Sequence, residues 1–364
     1  MRDAFRTNFL ERGEVGAAVC VIRRGEVVVD LWGGWADEAE TLAWQRDTVV
    51  NFYSVGKAIV ASLLLAVVDR GLLTLDTRVA DIWPEFAAGG KHEVTVRQAL
   101  CHEAAVPAIR EPLTNDDLFD WPTMTAALAS TDPWWEIGTR HAYHTNTFGH
   151  LIGELVHLTT GDLPGTALGR ITHEIGADIW FGVPLDRQPD CAEVIWAPER
   201  PTPAVEPIDT STMVGDDLMN VLAHFNPPGA SSVGIVNTPA WRSAQIPSTN
   251  GHGTARGLAQ YYAALLEPDR IVSAPLLAEA ARPQTVGPCP ILGEDVAFGL
   301  GFTPTTQRRP LGPNPHSFGH FGTGGALGFA DPDTGIAFGY VMNHVIPRWR
   351  SSRNRALIEA LYAM

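Results

Sequence analysis

The sequence predicts an α+β fold: an antiparallel sheet built from both chain termini, flanked by helices, with a mostly helical region between. Three observations carry this. Residues 16–22 (GAAVCVI) and 27–33 (VVVDLWG) are β-prone apolar runs joined by the turn Arg23-Arg24-Gly25-Glu26, which reads as a hairpin. Near the other end, residues 324–330 (GGALGFA) and 336–343 (IAFGYVMN) flank Asp331-Pro332-Asp333-Thr334-Gly335, a second hairpin signal. Between the two hairpins the recognisable apolar spacing is mainly helical.

In chain order, Thr48 to Tyr53 is an extended stretch that runs into a helix over residues 55–70. That helix is apolar on nearly every face, so it should be buried, and Gly71 follows it as a C-cap. Thr95 to His102 reads as a short helix with Thr95 at its start, and residues 123–131 as another. His144 to Thr160 carries Phe148, Leu151, Ile152, Leu155 and Val156 at helical spacing and stops at Gly161. Residues 185–245, rich in Pro, Thr and Asp, read as a long excursion over the surface. Gly253 to Leu266 is a further helix with Thr254 as a cap, and Arg350 to Ala363 a final one. No stretch has linker composition. The chain therefore reads as one catalytic unit over 1–364, with a sheet subdomain of approximately 1–55 and 255–364 and a helical subdomain of approximately 56–254.

A hydrophobic content of 45% with 18% charged residues excludes a disordered chain. A net charge of -15 repels phosphate backbones, so nucleic acid is not an expected partner. Met1 to Arg6 opens no apolar segment of the secretory kind, and no run approaches the ~18 apolar residues of a membrane span. A cytoplasmic location is expected, with Cys20, Cys101, Cys191 and Cys289 as reduced thiols. No CxxC pair and no HExxH pattern occurs, so neither a metal nor another cofactor is expected.

The chain has only two lysines, Lys57 and Lys91. Where arginine serves for surface charge, a lysine suggests an amine that has to titrate. Lys57 lies in Asn51-Phe52-Tyr53-Ser54-Val55-Gly56-Lys57, where an extended stretch enters the buried helix. Spacing of i, i+3 puts Ser54 and Lys57 on one helix face. The apolar neighbours Ala58, Ile59 and Val60 would desolvate the amine and lower its pKa, and a neutral amine can take a serine proton. A phosphate loop does not fit, because Asn51 stands in place of the first glycine and Ala58 in place of the magnesium-binding hydroxyl. Two more segments stand out. Tyr143 lies in a polar loop just before a helix, where a phenol beside a charged lysine would ionise more easily and serve as general acid or base. Phe318-Gly319-His320-Phe321-Gly322-Thr323-Gly324-Gly325 is a glycine-rich strand whose free N–H groups could hold a substrate carbonyl.

The order of these elements, SxxK, then a tyrosine motif, then a glycine-rich strand, resembles the serine β-lactamase and penicillin-binding protein superfamily. The likeness is closer to its class C β-lactamase-like branch, and within that to the family VIII carboxylesterases. It extends through Asp69-Arg70-Gly71-Leu72-Leu73-Thr74-Leu75-Asp76, Thr95 to His102, Asn250 to Arg256 and Gly328 to Pro332. The resemblance implies a β-lactamase/transpeptidase-like fold with Ser54 as acylated nucleophile, Lys57 as proton acceptor and Tyr143 as proton relay. It also implies an oxyanion hole from the N–H groups of Ser54 and Thr323. Substrate contacts would come from His320, Phe321, Gly322 and Asn146.

Two positions depart from the β-lactamases of that branch. Their Tyr-x-Asn has Thr145 at its third place here, with Asn146 one residue late, and their Lys-Thr-Gly is His320-Phe321-Gly322. Both departures are common in the esterase branch. The resemblance therefore implies a serine carboxylesterase for small-molecule esters with small or apolar acyl groups. Acyl transfer, amide or β-lactam hydrolysis would use the same residues, and a non-catalytic binding protein on this fold is a further alternative.

Overall fold

The computed structural model describes residues 1–197, 208–346 and 351–364. The N-terminal hairpin forms as β1 (Gly16–Arg23) and β2 (Glu26–Gly34). With β3 (Thr303–Pro304), β4 (Phe318–Phe321), β5 (Leu327–Asp331) and β6 (Ile336–Met342) it makes a six-stranded antiparallel sheet, order β2-β1-β6-β5-β4-β3. The two ends of the chain meet where β1 pairs with β6, from Ala17 opposite Met342 to Arg23 opposite Ile336.

Strands β1, up to Ile22, and β6 are buried along their length, which explains their unbroken apolar runs. The sheet is bracketed by α1 (Arg2–Glu11), α4 (Ala255–Leu266) and α5 (Ser352–Tyr362); between them in sequence lie α2 (Val55–Asp69) and α3 (Thr147–Thr160), which pack on each other. Gly339 lets α4 lie flat on the sheet, since a Cβ there would meet the Ala255 carbonyl at 2.2 Å.

Several boundaries differ from the sequence reading. Residues 323–325 are a tight 3-10 turn, and β5 starts only at Leu327, because Gly324 and Gly325 take φ of 81° and 113°. The helix expected from His144 starts at Thr147 and leaves Tyr143 to Asn146 as a loop. Of Thr48 to Tyr53 only Val50–Asn51 is strand, paired with His252–Gly253. The expected surface excursion over 185–245 is corrected: it contains the helices Gly215–Phe225 and Pro239–Ser243, and Ala230, Ser232 and Trp241 are fully buried. Isolated apolar residues there, rather than a periodic face, carry the burial. Residues 198–207 of that stretch, and Arg350 at the start of the final expected helix, lie outside the described residues. Among the described residues no helix is long and apolar enough to cross a membrane.

Candidate active site

Phe52 donates its N–H to the Gly251 carbonyl at 2.8 Å, which anchors the chain just before Ser54. Tyr53 then turns it at φ 52°, a left-handed conformation that costs a non-glycine residue free energy. The surroundings hold it there: its hydroxyl accepts from Ser232 Oγ at 3.3 Å, and its ring meets Trp196 edge-on. Ser54 consequently sits at the N-cap of α2, yet its side chain makes no capping hydrogen bond. The hydroxyl faces Lys57 instead, and Ser54 keeps 6% of its surface open to solvent.

Lys57 is fully buried and its Nζ has three neighbours: Ser54 Oγ at 3.1 Å, the Thr145 carbonyl at 2.7 Å and the Ser248 carbonyl at 3.0 Å. Burial alone drives its pKa well below the ordinary 10.5. The two carbonyls can only accept. In its neutral form, which burial favours, the amine has two N–H bonds and one lone pair, so it can give one hydrogen to each carbonyl and turn the lone pair to the Ser54 hydroxyl. Two glycines make this possible. A Cβ on Gly56 would meet the Pro247 carbonyl at 2.2 Å, and one on Gly149 would meet Ser248 N at 2.5 Å. The Pro247–Ser248 backbone thus threads between α2 and α3. Ser248 Oγ locks it by accepting the Gly149 N–H at 2.6 Å.

Tyr143 is fully buried, with Lys57 Nζ 4.7 Å from its ring centroid. The expectation that this phenol ionises more easily is overturned. Burial raises its pKa and outweighs the pull of Ser54. The ring is fixed by stacking on Phe298 (5.9 Å, 16°) and by His102 (5.1 Å), and its backbone N–H donates to Cys289 Sγ at 3.2 Å. His144 accepts at Nε2 from Val106 N (3.3 Å) and therefore donates from Nδ1 to the Ala142 carbonyl (2.7 Å). Burial pushes His144 down to about 4 and His102 well below its ordinary range, so the imidazoles around the phenol are neutral.

On β4, His320 stacks against Tyr143 at 6.2 Å and bonds the Phe321 carbonyl through Nδ1 at 2.7 Å. Burial pushes its imidazole down to about 3. Phe321 is buried in the main core. Gly322 brings the end of the strand to the nucleophile: a Cβ there would meet the Phe52 carbonyl at 2.4 Å. Thr323 opens the turn that follows. Asn146 is engaged at both ends of its amide, accepting from Thr249 Oγ1 at 2.6 Å and donating to the Ala223 carbonyl at 2.8 Å, so it ties its loop to the helix Gly215–Phe225. The structure thus brings Ser54, Lys57, Tyr143 and His320 together, with Gly322 and Thr323 adjoining.

The sequence reading missed Ser248 and the Thr145 carbonyl, since backbone acceptors leave no compositional trace. The signal that could have found Ser248 is a glycine inside each of two buried helices, Gly56 and Gly149. Among the described residues no three His, Cys, Asp or Glu side chains are grouped as metal ligands.

The family model described as Beta-lactamase matches residues 2–362. The chain belongs to the β-lactamase family. Within it, the esterase/beta-lactamase LipL of Mycobacterium tuberculosis (strain ATCC 25618 / H37Rv) is 32% identical over 358 residues, which cover 94% of this chain and 80% of LipL. Two crystal structures of the same fold cover 100% of this chain and are themselves covered to 96%. One is a family VIII carboxylesterase at TM-score 0.90 and 36% identity. The other is a penicillin-binding protein homologue from Caulobacter crescentus at TM-score 0.88 and 35% identity.

Proposed function

We propose that this β-lactamase-family chain is a serine ester hydrolase that cleaves carboxylic esters of small or apolar acyl groups through an acyl-enzyme on Ser54. The observation that carries the reading is a fully buried Lys57 whose amine lies between the Thr145 and Ser248 carbonyls and 3.1 Å from Ser54 Oγ, an arrangement that in the neutral form leaves a lone pair for the Ser54 proton. Ser54 Oγ attacks the ester carbonyl as Lys57 takes its proton. The N–H groups of Ser54 and Thr323 stabilise the oxyanion. Lys57 then returns that proton through Tyr143 to the departing alkoxide, which restores both groups. The Tyr143–Lys57 pair next draws a proton from the water that attacks the acyl-enzyme and returns it to Ser54 Oγ as the acid leaves.

Three observations support the substrate class. LipL is named an esterase/beta-lactamase, and the solved structure at TM-score 0.90 is named a family VIII carboxylesterase. The Tyr143 ring belongs to an apolar cluster with Ala105, Trp135, Met219, Ile291 and Phe298, separate from the main core. A neutral His320 stands where the β-lactamases carry a lysine, so that position supplies no cation for a substrate carboxylate. The same reading places the enzyme in the cytoplasm, where its four free cysteines suit a reducing compartment.

Intact-mass spectrometry after a serine-directed phosphonate tests the reading. One adduct, mapped to Ser54, is expected. Ser54→Ala is expected to lose both the adduct and turnover of p-nitrophenyl butyrate while melting like the parent. An adduct on another residue, or turnover retained by Ser54→Ala, would refute Ser54 as nucleophile.

A further inference from the structure

The turn Thr323–Gly325 leaves β4 beside the Phe52 backbone that leads to Ser54, and two of its three residues are glycines in left-handed conformations. Glycine has little preference of its own, so the shape of this turn has to be imposed by its neighbours. They come from opposite ends of the chain. Arg353, on α5, donates through Nη2 to the Gly324 carbonyl at 2.7 Å and to the His344 carbonyl at 3.0 Å. Asn354 donates through Nδ2 to the Gly325 carbonyl at 3.0 Å. Behind them, Arg353 Nη1 donates to Glu14 Oε1 at 2.8 Å, and Glu14 accepts a second bond from the Tyr340 hydroxyl. Arg353 and Asn354 are 1% and 0% exposed.

The bonds continue into the backbone. Gly322 O accepts the Gly325 N–H at 3.1 Å, and Gly322 N donates to the Ala326 carbonyl at 2.7 Å. The peptide plane between Gly322 and Thr323 is thereby fixed through its carbonyl, and the trans N–H of Thr323 on that plane points the opposite way. A buried ion pair is a poor source of net stability, since desolvation offsets most of its attraction. A planar guanidinium that holds a carboxylate and two carbonyls in one geometry is better suited to fixing an orientation.

We propose that Arg353 and Asn354, with Glu14 behind them, are positioning residues that aim the Thr323 N–H at the carbonyl oxygen of an ester bound to Ser54. The inference rests on the reading of that N–H as an oxyanion donor. It assigns a reaction-level role to the final helix and to the loop before β1, neither of which touches Ser54, Lys57 or Tyr143 through the bonds described.

The test compares Thr323→Pro, Arg353→Lys and Asn354→Ala with the parent on p-nitrophenyl butyrate, each kcat divided by the sites that a serine-directed phosphonate labels at completion. Proline at 323 deletes the N–H itself, and Gly322 before it, at φ -111° and ψ 161°, already has the backbone that proline requires. That variant is expected to lose about 10²–10³-fold in kcat. Arg353→Lys and Asn354→Ala mis-aim the donor rather than remove it. They are expected to lose about tenfold or more per labelled site, with KM within about twofold. Variants that merely fold less well would show fewer labelled sites with parental kcat per site, and that outcome overturns the proposal. If Arg353→Lys does not fold, Asn354→Ala decides alone. Parental kcat in Thr323→Pro would instead overturn the oxyanion reading underneath, so the two failures are told apart.

Discussion

Lys57 and Lys91 are the chain's two lysines, and both are fully buried. Each amine donates to two backbone carbonyls: Lys57 to Thr145 and Ser248, and Lys91 to Ala88 and Thr131 at 2.6 Å each. The difference is the third neighbour. For Lys57 it is the Ser54 hydroxyl, with no carboxylate among the partners of its amine, and burial drives its pKa down. For Lys91 it is the face of Phe86, and the Asp132 carboxylate pulls its pKa back up against burial. One amine is set to take a proton; the other pins the end of the helix Trp121–Ser130 to the loop before Val94. Lysine scarcity therefore marks buried amines in this chain, and only the hydroxyl one helical turn away marks a reactive one.

Removing each amine separates the two roles. Lys57→Met and Lys91→Met each strip two buried carbonyls of their donor, and each is expected to cost about 1–3 kcal/mol of stability in chemical denaturation. Only Lys57→Met is expected to lose activity, by about 10²–10⁴-fold in kcat on p-nitrophenyl butyrate. Equal kcat losses at the two positions would erase the distinction.

The pH profile sharpens it. A base works when deprotonated, so kcat/KM is expected to rise with pH through the Lys57 value, well below 10.5, and then level off. His320 and His144, at about 3 and about 4, add no limb near neutrality. Tyr143, raised by burial, adds no descending limb near neutrality. A profile measured in the parent and in Lys91→Met is expected to superimpose; a limb that moves with Lys91 would contradict the assignment.

The smallest effect concerns the glycine that admits Ser248. Gly149→Ala puts a methyl group 2.5 Å from Ser248 N and should shift the carbonyl that holds Lys57. About a tenfold loss in kcat is expected, because sub-ångström displacements of a base are costly. Gly89→Ala is the control beside Lys91: its Cβ would meet Asp132 Oδ1 at 2.5 Å, and stability rather than kcat should change.

The parts of the fold that local chemistry dictates were legible in the sequence. Turn residues flanked by apolar runs located both hairpins, and helical spacing located α2, α3 and α4. The contact between Ser54 and Lys57 followed from i, i+3 spacing alone. What stayed hidden is carried by single residues or by backbone. Helix α1 buries only Phe5 and Asn8, too few for a periodic face. Pro164–Ile175 forms a helix that the reading did not assign, with three buried residues. Trp241 is buried because its indole donates to Asn51 Oδ1 at 3.0 Å, a long-range bond that no local pattern announces. The elevated phenol pKa of Tyr143 depends on how Phe298 and His102 enclose it, which spacing does not encode.

With only two lysines, the titration of the amines can be read directly. Protein labelled with ¹³C at the lysine ε-carbon should give two resonances, assigned by the loss of one in Lys91→Met. The resonance of Lys57 is expected to titrate well below 10.5 and below that of Lys91. A Lys57 signal that keeps the shift of a charged ammonium up to its ordinary range would contradict the neutral amine on which the mechanism depends.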